Sequence, residues 1–140
     1  MKLYGHDTSP YVRRVRVLLT ELGLPFERDA NGWSNPSEAF LRINLFLRVP
    51  ALEDDGEVLL DSKQIATYLY DRHGAARAPK DLAPPLQPTL FRPARRYQDE
   101  NLLLAIDAAT DSLINVFLLE LDGVPASSAA YLRRQGARAA

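Results

Sequence analysis

The chain has 140 residues, 17 of them basic and 18 acidic for a formal net charge of −1, with 46% hydrophobic residues and no cysteine. That length and composition describe an ordinary globular protein of one domain, or one small domain and part of a second, with a buried core. Nearly cancelling charge gives no global field for nucleic acid, the missing cysteine excludes disulfides, enzyme thiolates and thiolate metal sites, and His6 and His73 are too far apart for a paired zinc site.

The amino terminus enters a strand-like run at Met1 to Tyr4 directly, with no basic n-region and apolar h-region before it. No continuous apolar run approaches the ~18 residues of a spanning helix. The expectation is a cytoplasmic protein without nucleic-acid, membrane or metal partners. Thr8 or Ser9 then offers an oxygen to cap a helix with Pro10 in its first turn. Val12, Val15, Leu18, Leu19 and Leu22 recur at helical spacing, Arg13, Arg14, Arg16, Thr20 and Glu21 read as a solvated face, and Gly23 is the left-handed stop.

Leu24 to Arg28 reads as a second strand, followed by a loop with the only tryptophan, Trp33. Asn35, Pro36 and Glu38 are spaced as cap, first helical residue and capping-box acid of a short helix ending near Asn44. Val49 to Leu52 and Val58 to Leu60 flank an acidic turn centred on Asp-Gly, a hairpin signal. Asp61-Ser62 caps a third helix, with Ile65, Tyr68 and Leu69 inside and Gly74 after it. The order is therefore βαβαββα over residues 1–75.

Residues 76–88 are a proline-rich linker, since four prolines between Ala75 and Pro88 rule out regular helix or a central strand. Residues 89–140 lack strand alternation. Leu102, Leu103, Ile106, Leu113, Ile114, Phe117 and Leu121 mark a long helix from near Pro93 to Asp122, Gly123-Val124-Pro125 breaks it, and Ser127 or Ser128 starts a last one.

The strings MKLYGHDTSPYVRRVRVLLTELGLPFE and RVPALEDDGEVLLDSKQIATYLYDRHG, with the helical region after the linker, resemble a bacterial-type cytosolic glutathione S-transferase of the serine type. The resemblance implies an α/β thioredoxin-like domain at 1–75 and an all-α domain, here shortened, acting as a homodimer on glutathione and an electrophilic small molecule. Glutathione is then co-substrate, and no other cofactor or metal is implied. By the same resemblance Ser9 takes the place of the catalytic hydroxyl and Pro50 that of a cis-proline. Val49 presents backbone groups to the cysteinyl part of glutathione, Asp61 and Ser62 hold its γ-glutamyl end, and Arg48 meets its glycyl carboxylate. Thr8, Tyr11 and Trp33 are further candidates, Thr8 as competitor for the role of Ser9.

Taken without the resemblance, Ser9 and Asp61-Ser62 are plain helix caps and Arg48 a solvated charge. No base stands beside Ser9 in the sequence, so it is read as a stabiliser of the ligand's thiolate rather than a nucleophile. Two departures from the family pattern stand out. Leu45 and Leu47 occupy positions where relatives carry proline and glycine, which puts a branched side chain where the backbone favours positive φ. The apolar triplet Leu45-Phe46-Leu47 and the short helical region also support a second reading, a non-catalytic glutathione transferase-like dimerisation or interaction module.

Overall fold

The computed structural model describes residues 1–32, 35–74, 93–128 and 130–139. The chain divides into two compact units, Met1–Leu90 and Phe91–Ala140. Trp33 and the expected linker lie outside the described residues.

The first unit runs β1 (Lys2–Tyr4), α1 (Pro10–Glu21), β2 (Glu27–Asp29), α2 (Glu38–Ile43), β3 (Ala51–Asp54), β4 (Glu57–Leu59) and α3 (Ser62–Leu69), the βαβαββα order of a thioredoxin-like domain. One four-stranded sheet has the order β2-β1-β3-β4. β1 pairs in parallel with β2 and antiparallel with β3, which pairs antiparallel with β4. Because side chains alternate across a strand, Leu3 and Leu52 face α1 and α3, where they pack with Val12, Val15, Leu19, Ile65 and Leu69. Tyr4 and Ala51 face the other way and pack with Phe40 of α2.

Local signals explain most boundaries. Helix α1 ends as its sequence dictates: Gly23 takes φ +60, its N–H donates to Thr20 and the N–H of Leu24 to Leu19, a double bond pattern that satisfies two end carbonyls. Asp55 and Gly56 both have positive φ between the paired residues Asp54 and Glu57, as a two-residue hairpin turn with strand-compatible twist requires. The start of α2 differs from expectation. Its cap is Ser37, whose Oγ accepts from the Phe40 N–H at 3.1 Å, and not Asn35. Ser37 also donates its hydroxyl proton to Asp29 at 2.6 Å, so β2 fixes where α2 begins. Strand β2 likewise starts later than expected, at Glu27.

The Tyr4 hydroxyl donates to Glu53 Oε2 at 2.8 Å. Burial, helped by that carboxylate, pushes the Tyr4 hydroxyl up to about 12. A raised folded-state value means the folded chain holds this proton more tightly than the unfolded chain. The stabilisation is therefore full below pH ~10 and disappears as pH rises towards 12. Tyr4→Phe is expected to narrow the stability difference between pH 8 and pH 11.5, measured by urea denaturation. An unchanged pH dependence would contradict this.

The second unit holds a short turn at Pro93–Arg95, α4 (Arg96–Leu121), a turn at Ala126–Ser128 and α5 (Ala130–Ala139). Helix α4 stops as α1 does, with Gly123 at φ +81 donating to Glu120 and Val124 to Leu119. Of its described residues only Ser112 and Gln135 are buried, while Leu102, Leu104, Leu113, Phe117 and Leu121 are exposed. Over an 18-residue window α4 reaches a mean hydropathy of 1.8, enough by length and composition alone to cross a bilayer. Every such window contains Asp107 and Asp111, and a central aspartate costs a spanning helix about 2.5–3.5 kcal/mol.

Candidate functional site

The strand register gathers the candidate residues at one end of the sheet. Tyr4, the last residue of β1, lies opposite Ala51, the first of β3, and beside Asp29, the last of β2. Leu52 lies opposite Leu59, so the same register carried one pair further sets Ala51 opposite Leu60. The loops that follow β1, precede β3 and follow β4 therefore converge, and they carry Ser9, Val49-Pro50 and Asp61-Ser62.

Gly5 makes this close approach feasible. Its φ is +138, and a Cβ built there would fall 3.0 Å from Val49 Cβ and collide with Val12 Cγ2. Only glycine lets the backbone leave β1 between α1 and the Val49-Pro50 segment. The Val49–Pro50 peptide is cis, as expected for that position, with Pro50 buried and Val49 half-buried.

Ser9 is the N-cap of α1 and is 7% exposed, with its Oγ accepting from the Val12 N–H at 3.3 Å. A hydroxyl has one proton to donate besides the lone pairs that accept, so capping leaves the Ser9 proton available to a ligand. Thr8 is exposed, and its Oγ1 lies 2.7 Å from His6 Nδ1. Asp61 is the N-cap of α3, its Oδ1 taking the N–H groups of Lys63 at 2.8 Å and Gln64 at 3.1 Å. Both helices thus present amino termini, with positive dipole ends and side-chain oxygens, to the same end of the sheet.

Two sets of contacts were not anticipated. Arg14 does not belong to a solvated face: its Nη1 donates to the buried Ser62 Oγ at 3.1 Å, and its guanidinium lies 5.5 Å from the centre of the half-buried Tyr11 ring. A cation is thereby set beside one of the two residues expected to hold the γ-glutamyl end. Arg16 pairs with Asp7 at 2.6 Å, and Arg28 pairs with the same carboxylate at 2.6 Å. The Arg28 hydrogen bond, with the nearby charges of Arg28 and Arg16, holds the Asp7 carboxyl below the usual carboxylate range. The α1 periodicity shows which positions face the core, but not which flank faces α3 or β2.

The loop before Pro50 is held by Asn44, 1% exposed, which donates from Nδ2 to the Arg48 carbonyl and accepts the Phe46 N–H at 3.1 Å. Leu47 adopts φ +53, the left-handed conformation expected of a position suited to glycine. That conformation costs a non-glycine residue about 1–2 kcal/mol, offset by packing of the Leu47 side chain against the Tyr4–Phe40–Ala51 cluster. Leu45 and Phe46 are 88% and 75% exposed, and Arg48 is exposed beside them. Among the described residues no cluster of histidine and carboxylate side chains could hold a metal.

Comparison with known proteins agrees with this geometry. The family model "Glutathione S-transferase, N-terminal domain" matches residues 3–79. The chain belongs to the glutathione S-transferase family, through that amino-terminal domain. It is 39% identical over 78 residues to glutathione S-transferase 3 of Zea mays, covering 54% of this chain and 35% of the relative. It is 31% identical over 129 residues to the maleylacetoacetate isomerase of Pseudomonas aeruginosa, covering 86% of this chain and 55% of that one. Among solved structures, a Pseudomonas fluorescens glutathione transferase family member with bound glutathione superposes with TM-score 0.72 at 26% identity, over 99% of this chain and 65% of the other. The chain spans between about a third and two thirds of the length of these relatives.

Proposed function

We propose that this chain binds glutathione at the convergent loops, stabilises its thiolate through Ser9, and presents that sulfur to an electrophilic small molecule. The carrying observation is the convergence of the Ser9 cap, the cis Val49–Pro50 peptide and the Asp61 cap at one end of the sheet. A free thiol of this kind has pKa about 8.5, so only a few per cent is thiolate at neutral pH. Lowering that value by about two units takes roughly 2.7 kcal/mol, the order supplied by one charge-assisted hydrogen bond and a helix amino terminus. The chain has no cysteine, so in this reading the reactive sulfur belongs to the ligand.

In the bound state Val49 pairs its backbone with the cysteinyl unit in the manner of an added strand. Asp61 and Ser62 hold the γ-glutamyl end, Arg14 stands beside Ser62 for its carboxylate, and Arg48 takes the glycyl carboxylate. Isomerisation through the same sulfur is a second use of this site, favoured by the likeness to the maleylacetoacetate isomerase. A cytoplasmic homodimer fits the exposed Leu45 and Phe46, which a second subunit would cover. Isothermal titration of the 140-residue chain is expected to show saturable glutathione binding. No binding heat at millimolar glutathione would overturn the reading and favour a non-catalytic interaction module.

A further inference from the structure

Ser9 sits at the end of a five-residue connection from β1 to α1, and the position of its hydroxyl depends on what holds that connection. Two backbone contacts do part of this, Gly5 N–H to Asp29 at 2.8 Å and Ser9 N–H to His6 at 3.3 Å. Side chains add to this, and one of β2 reaches the connection at two points. Arg28 donates from Nη2 to the Gly5 carbonyl at 3.0 Å and from Nη1 to Asp7 Oδ1 at 2.6 Å. One rigid, planar guanidinium thus grips the connection at two points on either side of His6. Arg16 of α1 adds a second donor to Asp7 at 2.6 Å.

The grip is anchored where the sheet is fixed, since Arg28 pairs with Leu3 in the β1–β2 register. Its side chain is only 25% exposed, which shields the bond to the Gly5 carbonyl from the solvent competition that weakens open surface pairs, while the Asp7 end is 61% exposed. The charged and titratable groups around the connection are His6 and Asp7 upon it, Arg16 on α1, and Arg28 and Asp29 on β2. Arg28 bonds the carbonyl of Gly5 and the carboxylate of Asp7, the latter two residues before Ser9, so its influence on the Ser9 hydroxyl passes through the backbone.

We infer that Arg28 is a positioning residue that sets the Ser9 hydroxyl on line with the ligand sulfur by clamping Gly5 and Asp7. This rests on the reading of Ser9 as thiolate donor. Hydrogen bonds weaken steeply as distance and angle leave the favoured range, and a misplacement of about 1 Å in a catalytic group can cost on the order of a hundredfold in rate. Lysine would keep the charge of Arg28 but could not span both acceptors with a rigid fork. The two substitutions therefore separate clamping from simple field effects.

The test follows the thiolate absorbance of bound glutathione across pH, together with the affinity for S-methylglutathione, which has no thiol to ionise. Arg28→Met is expected to raise the apparent thiol pKa by about one unit, a roughly tenfold loss of thiolate, with S-methylglutathione affinity held within about twofold. Arg28→Lys should recover only part of the shift, and in a Ser9→Ala background Arg28→Met should add none. Asp7→Asn, which removes one grip point at an exposed carboxylate, is expected to shift the pKa in the same direction by less, and decides the matter if Arg28→Met does not fold. An unchanged pKa, full recovery by lysine, an equal shift without Ser9, or a parallel loss of S-methylglutathione affinity would each overturn the clamp. If Ser9→Ala itself leaves the pKa unmoved, it is the Ser9 reading that fails, and the clamp falls with it.

Discussion

Ser9→Ala is expected to lower thiolate-dependent turnover at neutral pH by roughly ten- to a hundredfold, the equivalent of one charge-assisted hydrogen bond of about 1.5–3 kcal/mol. Glutathione should still bind, because the other contacts proposed for it come from the loop before β3, from the start of α3 and from Arg14. The loss should shrink as pH rises past the ordinary thiol value, since free thiolate then needs no help. Stability should fall by about 1 kcal/mol through loss of the α1 cap on Val12. Rate against pH and a thermal melt read the two effects separately. Thr8→Val is the companion measurement, expected to change turnover less than about twofold because Thr8 is exposed and engaged with His6. A reversal, with Thr8 required and Ser9 dispensable, would move the role to Thr8.

Asp61→Ala should act on stability and ligand together. Its Oδ1 satisfies two N–H groups at the start of an eight-residue helix, so removal is expected to cost about 1–2 kcal/mol. Glutathione affinity should fall more than about tenfold if the carboxylate also holds the cationic end of the γ-glutamyl unit. Asp61→Asn separates these effects, since asparagine caps a helix about as well as aspartate but carries no charge. Denaturation of Asp61→Asn is expected to resemble wild type while calorimetric affinity stays low. Wild-type affinity in Asp61→Asn would reduce Asp61 to a cap.

The exposed residues of α4 and of the Leu45-Phe46 tip bear on how much of a working enzyme these 140 residues supply. Apolar side chains such as Leu102, Leu113 and Phe117 are more than half exposed on a helix whose pattern asks for a partner surface. The relatives run longer than this chain, which spans 35% of the Zea mays transferase. Binding measurements on the first unit therefore address the proposed site more directly than turnover does.

Where a feature depended on short-range chemistry, the sequence by itself determined it. The stop of α1 at Gly23, the Asp55-Gly56 turn and the Asp61 cap each follow from residues within a few positions of one another, where sterics and local hydrogen bonds decide. The same holds for the core faces of α1 and α3, because helical periodicity survives whatever the partner is. What only the tertiary structure decided are contacts between segments distant in the chain. Asp29 selected Ser37 over Asn35 as the cap of α2, Ser62 drew Arg14 out of a supposed solvent face, and β2 delivered Arg28 to the loop that carries Ser9. A long, flexible cationic side chain can serve either solvent or a partner, and its sequence neighbours hold no record of which element the fold will bring within reach.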